Sequence, residues 1–180
     1  MVTEEVQRTD GTAIKEGIAQ MVQRLAEAFR DVETLAVAAI ANGGIPFGQM
    51  LAAELTRRLG REIPCGTVNI AFHRDDIGQK PIPPATNPTD LPFDVEEATV
   101  LLADDVIFSG RSARAGINEI FDSGRPERLL LVVLIDRGGR RLPEQTDYTA
   151  INQSLSPEHL VSVHLNAENP EASYIETRPA

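Results

Sequence analysis

The stretch EATVLLADDVIFSGRSARAGINEI, residues 97–120, decides the fold. An apolar run over 99–103 is typical of a buried strand, and it leads directly into the adjacent carboxylates of Asp104 and Asp105. A turn of small hydroxyl residues and glycine then opens a helical pattern. Because ligands of parallel sheets bind beyond the carboxyl ends of the strands, where loops meet helix N-termini, this stretch predicts a ligand site.

Strand and helix patterns alternate on both sides of this stretch. Apolar residues at helical spacing predict helices over 11–29 and 45–60. Short apolar runs predict further strands over 34–40, 67–72, 129–135, 159–165 and 173–177. The alternation favours an α/β fold whose parallel-sheet core is flanked by helices. We expect residues 1–180 to form one domain, long enough to bury a core without disulfides.

Composition limits the class of protein. The single Cys65 excludes an intramolecular disulfide, and the histidines at 73, 159 and 164 are too scattered to predict a metal site. The N-terminus is acidic and polar, and no segment approaches membrane-spanning length, so we expect a soluble cytoplasmic protein without a membrane partner. The net charge of −10 repels polyanions unless the arginines cluster.

The residues that follow the decisive strand carry groups suited to a sugar phosphate. Asp104 and Asp105 can accept hydrogen bonds from a vicinal diol, or face a hard cation such as Mg²⁺ through water. Hydroxyls, backbone N–H groups and a guanidinium then form an anion site at a helix start, at Ser109, Gly110, Arg111 and Ser112. The combination fits a ribose 5-phosphate. Alternatively, the acids only decorate a strand end and Ser112 caps a helix.

The order of strand, acid pair, hydroxyl–glycine turn and helix resembles the phosphoribosyl-diphosphate binding motif of type I phosphoribosyltransferases. Three longer segments resemble the PyrR family, bacterial pyrimidine-operon attenuation regulators that also possess uracil phosphoribosyltransferase activity: AFHRDD (71–76), LPFDVEEATVLLADDV (91–106) and DSGRPERLLLVVLIDRGGRRLPEQTDY (122–148). The resemblance covers roughly residues 10–176. It implies a strand–turn–strand hood at about 136–155, which holds the base, and a flexible active-site loop at about 74–92, which closes over the diphosphate.

The resemblance also implies residue roles. Asp104, Asp105 and Arg137 form the catalytic set, and the two aspartates also hold the metal. Asp136 lies with Arg137 at the edge of the site near base and diphosphate, and Arg74 belongs to the closing loop. The 5-phosphate segment completes the substrate-binding set with Val106, Ile107, Phe108, Ser109, Gly110, Arg111 and Ser112.

Two aromatic residues near this site have alternative interpretations. Phe108 either stacks on the incoming base or packs under the loop. Tyr148 either lines the base pocket or seals the fold.

The loop after the first predicted strand departs from the family. Where the family carries Lys and Thr followed by Arg-Gly, this chain has Ala41, Asn42, Gly43 and Gly44. Backbone N–H groups of Gly43, Gly44 and the following helix N-terminus are still expected to bind diphosphate, without a side-chain cation, and Asn42 belongs to the same substrate-binding loop. The hypothesis is that this chain binds diphosphate more weakly than the family does, and that a Gly43→Arg variant restores the affinity.

The implied activity is the Mg²⁺-dependent transfer of a phosphoribosyl group from phosphoribosyl diphosphate to uracil, giving UMP and diphosphate. Family members bear basic or polar residues where this chain has Ala19, Gln23, Gly139 and Gln145, so RNA binding is doubtful. One alternative is a nucleotide-sensing transcriptional attenuation regulator that binds RNA with little or no catalysis. Another keeps the fold and changes the base. The resemblance further implies a homodimer or higher homo-oligomer.

Overall fold

The computed structural model describes residues 6–71, 73, 88–166 and 168–179, and within them the chain forms three α-helices and eight strands. The helices are α1 (Gly11–Ala28), α2 (Gly44–Leu59) and α3 (Arg111–Ser123). The strands are β1 (Gln7–Thr9), β2 (Leu35–Ile40), β3 (Cys65–Val68), β4 (Thr99–Ile107), β5 (Arg128–Asp136), β6 (Tyr148–Asn152), β7 (His159–His164) and β8 (Tyr174–Pro179).

The central sheet has five parallel strands in the order β3-β2-β4-β5-β6, which confirms the predicted α/β class. Alternate residues of β4 face opposite sides. Leu101 packs in the cluster that includes residues of α1 and α2, whereas Leu102 packs in the cluster that includes residues of α3. Since both faces are covered, the central strands are continuously apolar rather than alternating.

Local signals in the sequence account for the helix boundaries. The Asp10 carboxylate accepts a hydrogen bond from the Ala13 N–H at 2.9 Å and caps the start of α1. Gly60 ends α2 in the left-handed conformation, with φ of 67°. Arg61 donates hydrogen bonds to the backbone carbonyls of Phe29, Val32 and Glu33 just beyond α1. Its guanidinium therefore stabilises the segment that joins α1 to β2.

The predicted hood over about 136–155 is wrong in its position. Residues 148–152 form β6, which pairs in parallel with β5 and belongs to the central sheet. The small antiparallel sheet, in the order β1-β8-β7, comes instead from both ends of the described chain. Local pattern could not reveal this, because the pairing of β1 with β8 joins segments about 170 residues apart, as in Gln7 with Thr177.

Two strands, β3 and β4, also end more than two residues away from the predicted position. β3 spans 65–68 rather than 67–72, because the Asn69 side chain accepts a hydrogen bond from the Ala71 N–H at 2.8 Å and turns the chain. β4 continues past 103 to Ile107, so the acid pair lies within the strand. Most of the predicted loop over 74–92 lies outside the described residues, as does Arg74.

No helix in the described part of the chain is both long enough and apolar enough to cross a membrane.

Candidate active site

The loop after β2 lies directly against the acid pair of β4. A Cβ atom built on Gly43 would lie 2.6 Å from Asp105 Oδ2, and one built on Gly44 would lie 2.7 Å from the Ala103 carbonyl oxygen. The φ angle of Gly43 is −63°, so glycine is required there for space and not for backbone conformation. The structure therefore brings together the predicted diphosphate loop and the predicted ribose-binding acids.

The two carboxylates of the acid pair differ in their surroundings. Asp104 is 8% exposed, whereas Asp105 is partly exposed at the edge of the cleft. Burial, and secondarily the neighbouring charge of Asp105, raises the pKa of Asp104 well above the ordinary value for a carboxyl group. The Asp105 N–H donates to Asp104 Oδ1 at 2.9 Å, and the Val106 N–H donates to Asp105 Oδ1 at 2.8 Å. A cation or the hydroxyls of a diol would relieve the repulsion between these groups.

The turn between β4 and α3 presents backbone donors at a helix N-terminus. Gly110, with φ of 87°, precedes the first residue of α3, and no side chain among the described residues caps that helix. Arg111 and Ser112 are exposed at this end, and the Arg111 N–H makes one long contact of 3.4 Å to Ser109 Oγ. Helix N-termini of this kind attract phosphate groups. The geometry of the predicted 5-phosphate segment is thus suited to an anion.

The loop after β5 is fixed to this turn by Arg140. Its guanidinium donates to the Phe108 carbonyl at 3.1 Å, to the Glu144 carbonyl at 3.0 Å and to Asp136 Oδ2 at 2.5 Å. The other Asp136 oxygen accepts from the Gly138 N–H at 2.9 Å. Asp136 therefore organises its own loop. The sequence did not predict these contacts of Arg140, because its partner Phe108 lies 32 residues away in the chain.

Arg137 lies behind the turn between β4 and α3, residues 108–110, which we call the phosphate turn. It is 5% exposed, its guanidinium carbon lies 4.2 Å from the centre of the Phe108 ring, and one nitrogen donates to the Ser156 carbonyl at 3.0 Å. Burial lowers the pKa of this guanidinium. Its Nε finds no acceptor within the described ranges. The side chain is held close to the turn, with its buried Nε unpartnered among the described residues.

The aromatic alternatives are decided by packing. A Cβ atom on Gly139 would lie 2.4 Å from the Phe108 ring, which Arg137 also contacts, so Phe108 packs under the loop. Tyr148 meets Phe29 edge to face, with 6.4 Å between ring centres, and seals α1 onto the sheet.

Val106 and Ile107 belong to the scaffold of this turn. Ile107 is buried in the cluster that includes residues of α3, while Val106 packs against the opposite cluster.

A cavity of about 340 Å³ opens at the carboxyl ends of β5 and β6. Its lining is polar and includes Asp136, Gln145, Thr146, Asn152 and Ser154. Since Asp136 pairs in register with Ile107 of β4, this cavity adjoins the acid pair and the phosphate turn. The sequence predicted a ligand site at this edge of the sheet, but it did not predict that β6 contributes residues to it.

This fold defines a class: it is the type I phosphoribosyltransferase fold, with a five-stranded parallel sheet flanked by helices. Hypoxanthine phosphoribosyltransferase from Trypanosoma cruzi, in complex with IMP, is similar over 89% of this chain and 85% of that chain, with a TM-score of 0.64 and 20% identity. A hypoxanthine-guanine phosphoribosyltransferase from Bacillus anthracis matches over 87% of this chain and 88% of its own, with a TM-score of 0.61 and 16% identity. At these identities the likeness concerns the fold.

Sequence relatives specify the family. The phosphoribosyl transferase domain family matches residues 7–168. The bifunctional protein PyrR of Geobacter sp. (strain M21) is 36% identical over 92% of this chain and 94% of that protein. The bifunctional protein PyrR of Clostridioides difficile is 34% identical over 91% and 93%. The chain therefore belongs to the PyrR family of phosphoribosyltransferases, which confirms the resemblance found in its sequence.

Proposed function

We propose that this protein transfers the phosphoribosyl group of phosphoribosyl diphosphate to uracil, giving UMP and diphosphate. The observation that carries the proposal is that two helix N-termini without side-chain caps from described residues flank the acid pair in the fold: α2 begins against the pair at Gly44, and α3 begins at Arg111, after the turn that follows the pair. Two anion sites flanking a diol acceptor match a ribose that carries a 5-phosphate on one side and a diphosphate on the other.

The residues divide the work of binding. The backbone of Asn42, Gly43 and Gly44 would hold the diphosphate, and the turn from Ser109 to Ser112 would hold the 5-phosphate. Asp105, the more accessible acid, would accept from the ribose hydroxyls. Fixing both ends of the sugar positions its anomeric carbon, and positioning is the main requirement of a reaction that needs little acid or base catalysis.

The acid pair also fits Mg²⁺. Its oxygen donors are those that a hard cation prefers, and a cation would offset the two causes that raise the pKa of Asp104, its burial and the neighbouring charge of Asp105. Asp104 and Asp105 would hold the ion, directly or through water. When bound, Mg²⁺ supplies positive charge for the leaving diphosphate.

Uracil is assigned to the cavity lined by Asn152, Gln145 and Thr146. The amide and hydroxyl groups of these side chains can form hydrogen bonds with the alternating carbonyl and N–H groups of a pyrimidine edge. Membership of the PyrR family, from which the sequence resemblance implies uracil as the base, supports a pyrimidine over a purine. Arg137, with its remaining Nε donor near the turn, is proposed to support the charged reactants from behind Phe108.

The test is diphosphate release from phosphoribosyl diphosphate with Mg²⁺, with uracil, hypoxanthine, guanine and orotate supplied in parallel. Release with uracil alone supports the proposal, and release with another base alone would replace its substrate. The variant Asp105→Asn is expected to lose about 100-fold or more in rate. Asp31→Asn, an exposed aspartate after α1, is the matched control and should keep full activity.

A nucleotide-sensing regulator is the second candidate, and the loop after β2 favours it. In place of the Lys and Arg that the family carries there, Ala41 and Gly43 offer only backbone donors to a diphosphate. A protein that binds UMP by calorimetry yet releases no diphosphate with any base would be this sensor.

A further inference from the structure

A cluster of three potential ligand side chains lies outside the candidate active site. His73 Nε2 lies 3.1 Å from Glu119 Oε2 and 3.0 Å from Asp122 Oδ2. The three ligand atoms all lie within 4.8 Å of one another. Glu119 and Asp122 occupy one side of α3, three residues apart, and His73 reaches them from the segment after β3. The fold thus assembles residues that the sequence left scattered.

A hydroxyl group orients the central carboxylate of this cluster. Thr89 Oγ1 accepts a hydrogen bond from the Asn69 N–H at 3.0 Å, so its own proton is free to be donated to Glu119 Oε1. Glu119 Oε2 is thereby left facing His73. Outer hydrogen bonds that fix a carboxylate in this way are typical of metal sites.

We propose that His73, Glu119 and Asp122 form a binding site for a first-row transition-metal dication, with Zn²⁺ as the representative. Atoms bound to one ion at about 2.0–2.2 Å lie about 3.0–3.5 Å from each other, which is the range of the two His73 contacts. Two carboxylates and a neutral imidazole also supply two negative charges to match a dication. The imidazole nitrogen selects Zn²⁺, Co²⁺ or Ni²⁺ over Mg²⁺.

This site is separate from the proposed 5-phosphate segment at the start of α3. Glu119 lies eight residues along α3 from Arg111, which is a distance of about 12 Å on a helix. His73 and Glu119 are shielded, with 22% and 18% of their side chains exposed, whereas Asp122 is 68% exposed and leaves an entry path. A bound ion would link the segment after β3 to α3.

The experiment is calorimetric titration of the full chain with Zn²⁺, in excess Mg²⁺ to occupy the acid pair. We expect one Zn²⁺ per chain, and a rise in Tm with Zn²⁺ concentration. His73→Ala, Glu119→Gln and Asp122→Asn should each weaken the affinity at least tenfold and abolish the rise in Tm. Glu119→Gln keeps an oxygen for Thr89, so it separates metal binding from folding.

Three matched measurements distinguish this site from the acid pair and from a surface histidine. His164→Ala removes an exposed histidine of β7 and should leave Zn²⁺ binding unchanged. Asp105→Asn should also leave it unchanged. Titration with Co²⁺ should give visible absorption bands that disappear in His73→Ala. The proposal is overturned if the wild type binds no Zn²⁺, if affinity survives His73→Ala, or if only the Asp105→Asn variant loses it.

Discussion

Gly43 makes room for the Asp105 carboxylate, since any Cβ at this position would lie 2.6 Å from Asp105 Oδ2. We predict that Gly43→Ala lowers kcat/KM for phosphoribosyl diphosphate by about 10- to 100-fold, because a displaced carboxylate misplaces the ribose. Steady-state kinetics measure this loss, and Gln49→Ala on the exposed side of α2 is the control. Unchanged kinetics would show that the carboxylate moves aside without cost. Gly43→Arg carries the same Cβ, so the gain expected from its charge is opposed by this contact.

The pKa of the Cys65 thiol reports how far this side chain is buried. Burial raises the pKa of this thiol from the ordinary 9.0 to about 11. At pH 8 the folded protein should therefore react with iodoacetamide about 100-fold more slowly than the urea-unfolded chain. The folded rate should rise with a midpoint near pH 11, whereas limited access alone would leave the midpoint near 9. Because the folded state favours the protonated thiol, this contribution to stability is present below pH 9 and is lost as the pH rises towards 11.

At the scale of elements, Arg140 joins the loop after β5 to the phosphate turn. Arg140→Ala removes hydrogen bonds to Phe108, Glu144 and Asp136 at once. The loop after β5 and the turn between β4 and α3 are then no longer held at a fixed distance. We predict a loss of about 10- to 100-fold in kcat/KM for uracil, measured by UMP formation. Arg141→Ala is the matched control, because that side chain is exposed and its N–H to Ser109 bond survives the substitution. Equal losses in both variants would contradict a specific role for Arg140.

The elements also show how far the sequence could lead. Helices α1 and α2 followed from apolar periodicity, and β2, β4 and β5 followed from continuous apolar runs, because the local pattern records how each element is buried. The pairing of β6 with β5 left no such record, since its half-buried residues read equally well as part of a hood. The motif of Asp104 to Ser112 located the site. Its contacts with Gly43 and Arg140 could not be predicted, because they depend on which strand ends become neighbours in space.

At the scale of the whole molecule, charge argues against RNA as a ligand. The chain carries a net charge of −10, and in the cluster formed by Arg137, Arg140 and Arg141 two of the three arginines are engaged inside the fold. Arg137 is buried against Phe108, and Arg140 is bonded to Asp136, which leaves Arg141 as the exposed member of the group. Binding to phosphates requires several accessible cations, because counterion release supplies most of its free energy.

We therefore predict a Kd weaker than about 10 μM for a pyrimidine-operon leader RNA at about 150 mM salt, measured by fluorescence anisotropy. The control adds cations where the family carries basic or polar residues: Ala19→Arg with Gln23→Arg creates two exposed charges one turn apart on α1. This double variant should bind RNA more tightly and with a steeper dependence on salt. Nanomolar binding by the unaltered chain would contradict the prediction, because affinity of that size without a basic surface requires specific base contacts that offset the repulsion of ten negative charges.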